Sequence, residues 1–252
     1  MNLKSILALT TLAAVGTVSA AVTSANTLCR IEVNSGAKST IVAVPLVKIG
    51  AGDNAIPVTE LVLPDGLAAG DTLLHWNGTA WDAWTIDNGQ WTALRVAEGN
   101  ASNYATPASD TALARGEAVW VNQQTAGKFY IYGQVATSGA EAPSIAIAGG
   151  TDANPAYTML GNPKTEDLNV NSLTFSGTPG ASDRIVFAAP GTSLGWGELS
   201  YKDRSWGYDE ITTETKNGRT VTKVTRKTDK TIPAGCGVWY VRKASGDLTV
   251  TL

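Results

Sequence analysis

The same phrase is written twice in this chain. "LARGEAVWV" occupies Leu113–Val121 and "IPAGCGVWYV" occupies Ile232–Val241. Each runs through an apolar residue, a short spacer, Gly, one variable residue, a small residue, then Val-Trp and a strand-prone residue. The pair belongs to a longer correspondence. "GDTLLHWNGTAWDAWTIDNGQW" (Gly70–Trp91) matches "SDRIVFAAPGTSLGWGELSYKDRSW" (Ser182–Trp206), and "VTEL" at Val58–Leu61 matches "VNSL" at Val170–Leu173. Gly116, Val119 and Trp120 fall on Gly235, Val238 and Trp239, and Gly127 falls on Gly246. The offset grows from 112 residues at Asp71/Asp183 to 115 at Trp81/Trp196 and 119 at Trp120/Trp239, with the order of landmarks kept. Small loop insertions after a duplication leave that drift. Two units of about 110 residues are therefore expected, each large enough to bury a core of its own.

The joint is expected in "VATSGAEAPS" (Val135–Ser144), a stretch of Gly, Pro and small residues without periodicity. The expected organisation is a leader over 1–20, a first β-domain over 21–136, a linker over 137–144 and a second β-domain over 145–252. Within each unit, short β-branched and aromatic runs such as "TLLHW", "RIVF", "AVWVNQ", "KFYIYGQV", "GVWYVRK" and "DLTVTL" are bounded by Gly, Asn and Asp turns. "ITTETKNGRTVTKVTRK" (Ile211–Lys227) alternates around Asn217-Gly218, the dipeptide that best suits a type I′ hairpin turn. No stretch after the leader carries a long 3.6-period apolar stripe. The expected fold class is all-β: two tandem antiparallel sandwich- or barrel-like domains.

The leader reading rests on "MNLK", then the apolar run "SILALTTLAAVG", then "TVSA" with Val18 and Ala20 at −3 and −1 of a cleavage point. That is the pattern of a secretory signal peptide, and the apolar run is shorter than a spanning helix of roughly 20 residues. No transmembrane span is expected. The formal charge is −3, spread along the chain, which gives no electrostatic reason to expect nucleic acid as a partner. In an oxidising compartment the two cysteines, Cys29 and Cys236, are expected to pair with each other or between chains. An internal bridge closing so long a loop is worth about 4–5 kcal/mol in the chain-entropy view.

Residues for chemistry are sparse. The single histidine, His75, sits in an alternating strand with Phe or Ala at the matching place in the second unit, so a structural role is expected. His-Glu-x-x-His does not occur. Asp71 and Asp183 recur before equivalent strands, which suits turn-capping residues better than one catalytic pair. Asp167, Asn169 and Asn171 alternate as in the opening of a calcium loop, but the Gly and the distal Glu of that loop are missing. No catalytic residue, metal or cofactor is assigned. Asn77-Gly-Thr and Asn100-Ala-Ser fit the N-glycosylation pattern.

Eight tryptophans are the most unusual feature. The shared Trp81/Trp196, Trp91/Trp206 and Trp120/Trp239 are expected in the structural core of each unit. Trp76 and Trp84 face Ala188 and Leu199 in the second unit and are the candidates for stacking on a sugar ring, alongside Tyr201 and Tyr208. Lys216, Arg219, Lys223, Arg226, Lys227 and Lys230 concentrate positive charge on the Ile211–Lys227 hairpin and just beyond it. They suit a solvated edge that resists aggregation, or docking onto an acidic patch of a neighbouring copy or an anionic polymer.

These landmarks resemble a loosely defined group of secreted bacterial surface β-domains, whose pattern runs Asn-Pro, Gly-Asp before a strand, Trp-containing hairpins and a terminal Gly-x-x-x-Trp strand. "GNP" (Gly161–Pro163), "GDTLLHW", Gly195-Trp196 and the two repeated phrases carry the likeness, while the first unit has "AVP" (Ala43–Pro45) in place of "GNP". The resemblance implies an exported, envelope-associated protein with no assigned catalysis. The expected function is a non-enzymatic structural or adhesive protein, secreted or on a bacterial cell surface, whose partners are copies of itself or surface glycans. The alternative is a carbohydrate-binding protein using exposed tryptophans.

Overall fold

The structure, a computed structural model, describes residues 28–35, 39–49, 55–61, 66–94, 104–105, 111–136, 142–188, 196–217 and 219–252. The leader, the Asn100 sequon, most of the expected linker and Gly218 lie outside the described residues, as does the side chain of Trp196. The chain is all-β. The first half holds β1 (Leu28–Ser35), β2 (Ser39–Ala43), β3 (Ile56–Pro57), a one-turn helix (Val58–Leu61), β4 (Thr72–Trp76), β5 (Trp81–Asp87), β6 (Gln90–Ala93), β7 (Tyr104–Ala105), β8 (Ala112–Leu113), β9 (Ala118–Asn122) and β10 (Gly127–Gln134). The second holds β11 (Ser144–Ile147), β12 (Ala156–Gly161), β13 (Leu168–Asn169), a 3₁₀ turn (Val170–Ser172), β14 (Thr174–Phe175), β15 (Arg184–Ala188), β16 (Trp196–Lys202), β17 (Ser205–Lys216), β18 (Arg219–Lys227), β19 (Thr231–Ile232), β20 (Gly237–Arg242) and β21 (Leu248–Thr251).

The halves use the same strand order. The large sheet runs β2-β9-β4-β5-β6 in one and β12-β20-β15-β16-β17-β18 in the other. The small pairs β3-β8 and β13-β19 correspond, as do β1-β10 and β11-β21. Registers correspond too: Trp76↔Trp81 answers Ala188↔Trp196, Leu73↔Trp84 answers Ile185↔Leu199, and Ile86↔Trp91 answers Tyr201↔Trp206. The β5–β6 turn places Asn88 and Gly89 at φ 49° and 73°, and its counterpart places Asp203 and Arg204 at 53° and 62°. Both are I′-type dihedrals, which match the twist of the flanking strands.

Each half has its own core. In the first, Val33, Phe129 and Ile131 of the β1–β10 pair press on Val42, Val119, Val121, Leu73 and Trp84 of the large sheet, with the one-turn helix adding Val58 and Leu61. In the second, Ile147, Leu248 and Val250 press on Leu160, Val238, Tyr240, Ile185, Leu199 and Trp206.

A third cluster lies between the halves. Strand side chains alternate between faces, so with Val119 and Val121 directed at the first core, Ala118 and Trp120 emerge on the opposite face of β9. On β20, Val238 and Tyr240 point into the second core, while Trp239 and Val241 emerge. The outward faces meet with Ile41, Met159, Trp76, Trp81 and Val186. Trp239 sits edge-on to Trp81 (centroids 5.6 Å, 89°) and 6.3 Å from Trp120. This corrects the expectation for the shared tryptophans. Trp206 is buried in the core of its own half and Trp91 packs against its own, but Trp81, Trp120 and Trp239 pack in the seam.

The seam is also stitched by reciprocal backbone bonds. The Ala43 N–H donates to the Gly235 carbonyl (2.9 Å) and the Gly161 N–H to the Gly116 carbonyl (2.7 Å). Gly116 and Gly235 hold φ of +92° and +73°, a region that favours glycine, and a Cβ on either would run into the opposite half, against Leu252 and Ile31.

The recurring aspartates fasten loops to strands. Asp71 accepts the Ala68 N–H at 2.8 Å and the Gln124 N–H at 2.7 Å. Asp183 accepts the Gly180 and Lys243 N–H groups, both at 2.8 Å, in the equivalent positions. Asp183 takes further bonds from the Tyr240 hydroxyl (2.8 Å) and the Arg242 guanidinium (2.6 Å), all in the interior. Burial pushes its carboxyl up, but the Lys243 and Gly180 amides, Arg242 and Tyr240 outweigh burial and hold it below the usual carboxylate range. The same site drives the Tyr240 hydroxyl upward, by burial first, then by its hydrogen bond to the Asp183 carboxylate and the charge there.

Three outcomes are expected. Asp183→Ala strands a buried guanidinium and should cost about 3–5 kcal/mol in urea unfolding. Because the folded-state carboxyl is depressed, its stabilisation is complete above the ordinary carboxylate range and is lost as pH falls through the folded value. Asp183→Asn should therefore flatten the acid limb of stability against pH. Trp239→Ala empties the seam and should cost about 3–5 kcal/mol, with most of the near-UV circular dichroism lost.

Candidate functional site

Two surface features stand apart from the cores. The first is a cleft of about 320 Å³ where the halves meet. The end of β4 brings His75 and Trp76 to one wall, and Asn77 follows in the turn. Glu117 lies beside them at the start of β9, and the opposite wall is β12 with Tyr157 and Thr158. The Trp76 Nε1–H donates to the Tyr157 carbonyl across the seam (3.1 Å), which fixes the indole. Trp76 is edge-on to Trp81 (5.3 Å), and Tyr157 is perpendicular to Trp239 (6.1 Å) while remaining 48% exposed. His75 is oriented by Asp82, whose Oδ2 lies 3.3 Å from Nδ1, and Asp82 is held by the Asn77 side-chain amide at 3.2 Å. The Glu117 Oε2 accepts the Ala114 N–H at 2.6 Å.

The second is an arm. β17 pairs with β16 only as far as Gly207, then continues with β18 alone through nine cross-strand pairs, Tyr208↔Lys227 to Lys216↔Arg219. Arg226 anchors the base, donating to the Ser200 carbonyl (2.6 Å), the Ser200 hydroxyl and Asp209. Beyond it the side chains over 209–217 and 219–224 are exposed. The register puts Ile211, Thr213 and Thr215 on one face with Val224, Thr222 and Thr220. Ile211 and Val224 are 66% and 60% exposed. The opposite face mixes Glu210, Glu214 and Lys216 with Lys223 and Arg219. At about 3.3 Å per residue the arm reaches roughly 25 Å from the sheet. Among the described residues, the outer edge of β18 pairs with no strand.

The sugar-stacking candidates do not converge. Trp84 is 4% exposed in the first core, opposite Leu73, and offers no ring face to a ligand. Tyr201 and Tyr208 are half-buried against the second core, Tyr201 on Trp206 (5.2 Å) and Tyr208 under Lys230. Only Trp76 reaches the cleft. Tyr157, which sequence reasoning missed, is its aromatic partner. The signal for it was an aromatic in a strand face that has no match in the first half.

Asp167, Asn169 and Asn171 are absorbed locally. Asp167 accepts the Ala234 N–H (3.2 Å), and Asn171 bridges β17 and the 228 loop through bonds with Trp206 and Thr228. Among the described residues no three His, Cys, Asp or Glu side chains group as metal ligands, and no helix is long and apolar enough to cross a membrane.

The expected Cys29–Cys236 bridge is corrected: both cysteines are free. Cys29 is half-buried on β1 opposite Gly133, and Cys236 is buried at a bridge to Val42 across the seam. Each thiol is taken up by its own packing. Burial, then the Asp167 charge, pushes the Cys236 thiol up to about 11, and burial also raises Cys29.

No family model, no curated protein and no solved structure matches the chain.

Reactivity follows from the thiol environment. At pH 8 a thiol titrating near 11 is thiolate in roughly one molecule per thousand, so Cys236 should resist an aromatic disulfide reagent in the native protein. In denaturant both thiols should titrate, and the non-reducing intact mass should show no loss of two hydrogens.

Proposed function

We propose that the chain is an exported, non-enzymatic structural or adhesive protein of a bacterial surface or extracellular matrix, and that it associates with copies of itself through the β17–β18 arm. The arm is the observation that carries this reading. A lone two-stranded hairpin is marginally stable in water, and a face of Ile, Val and Thr held about 25 Å out gains its stabilisation by being covered. Charge names the cover. Residues 209–230 carry six basic and four acidic side chains, net +2, which leaves −5 on the rest of a chain whose total is −3. Arms repel one another, and the body of another copy attracts them. An arm-to-body contact is head-to-tail, so it closes into a ring or grows as a filament.

The leader-like residues 1–20 and the likeness of the Gly-Asp, Trp and Gly-x-x-x-Trp landmarks to secreted bacterial β-domains support export. The corresponding strand orders and registers support an ancestral duplication, after which only the second copy gained the arm.

Sedimentation velocity and negative-stain electron microscopy test the reading. The chain should form rings or filaments at micromolar concentration in 50 mM salt and dissociate at 1 M, where the Debye length falls to about 3 Å. A variant in which Asn-Gly replaces residues 211–224 should sediment as a folded monomer. A monomeric parent chain at 100 μM in low salt would overturn the proposal.

A further inference from the structure

We infer that the cleft between the halves binds the pyranose ring of a neutral sugar. The site is separate from the arm and stands without it. Its volume, about 320 Å³, falls at the small end of the range for small-molecule pockets, roughly 300–1,000 Å³. That size suits one or two sugar units.

The walls select the chemistry. Tyr157 and Trp76 supply aromatic surface, and both rings are held before any ligand arrives: Trp76 by its bond to the Tyr157 carbonyl, Tyr157 by its contact with Trp239. Rigid aromatic groups lose little conformational freedom on binding, and their faces suit the C–H surface of a pyranose. Polar groups stand beside them with capacity left over. Glu117 is tied to the Ala114 amide through Oε2, so Oε1 is the oxygen available to a hydroxyl. Thr158 adds a hydroxyl on the facing wall. Among the described residues no Lys or Arg lines the cleft and Glu117 does, so a phosphate, uronate or sialate is disfavoured. A wholly apolar ligand would leave Glu117 and Thr158 desolvated without partners. A neutral polyol with one apolar face meets both conditions.

Saturation-transfer NMR and calorimetry would test this on the chain from Ala21 onward, with cellotriose, chitotriose and β-1,4-galactobiose as neutral probes and sialyllactose as the anionic control. Two variants bracket the site. Tyr157→Ala removes the exposed ring, and Ala146→Trp fills the cleft from an exposed lining position without removing a hydrogen bond. At least one neutral probe should bind, at least tenfold weaker in each variant, with near-UV circular dichroism unchanged in Ala146→Trp. The inference is overturned if no neutral probe binds at 10 mM, if Ala146→Trp binds as tightly as the parent, or if sialyllactose binds as well as the neutral sugars.

Discussion

The packing of Trp239 against Trp81 and Trp120 is the contact on which the rest depends. Each large sheet buries one face against its own small sheet, and the other face would be left with Ile41, Trp120 and Trp81 on one side and Met159, Trp239 and Val241 on the other. Joining those faces removes them from water and brings the two backbones close enough for the Gly161–Gly116 and Ala43–Gly235 bonds. The approach tolerates no side chain at Gly161, where a Cβ would overlap the Glu117 carbonyl oxygen. Hydrophobic burial supplies the driving force, and the glycines set how near the sheets can come. The cleft is a consequence of this contact, since its walls belong to different halves.

Corresponding architecture has not kept the halves alike. Asp71 and Asp183 each hold two amides in corresponding positions, and Asp183 also has Tyr240 and Arg242 as buried partners. In the first half, Val121 fills the place that Tyr240 takes in the second. β6 stops after Ala93, whereas its counterpart β17 runs on to Lys216. The first half thus supplies most of the polar wall of the cleft, and the second supplies the arm. A shared frame with unshared extensions allows one surface to evolve while the cores stay fixed.

The arm is held at its base by Arg226, whose guanidinium binds the Ser200 carbonyl and hydroxyl and Asp209. This is a rigid root for an exposed ribbon. Charges on one face keep the arm soluble, while the β-branched face carries none beyond the Asp209–Arg226 pair at its base. That division suits a surface that must meet one partner and avoid others.

The sequence alone determined the class of elements and much of their order. Asn88-Gly89 dictates a hairpin because both central residues need positive φ, and the landmarks common to the two halves fall in equivalent registers. The capping role of Asp71 and Asp183 was legible from their place before a strand. Tertiary structure alone decided which face of each strand is inward. On β9 both alternating sets, Val119 with Val121 and Ala118 with Trp120, are apolar, so local pattern does not distinguish the core of one half from the seam between two. The same ambiguity hid Trp84 in the first core and left Tyr157 unnoticed beside the cleft. It also left the cysteines as a presumed pair, because a bridge is decided by where a strand and a distant turn come to rest, and chain spacing does not encode that.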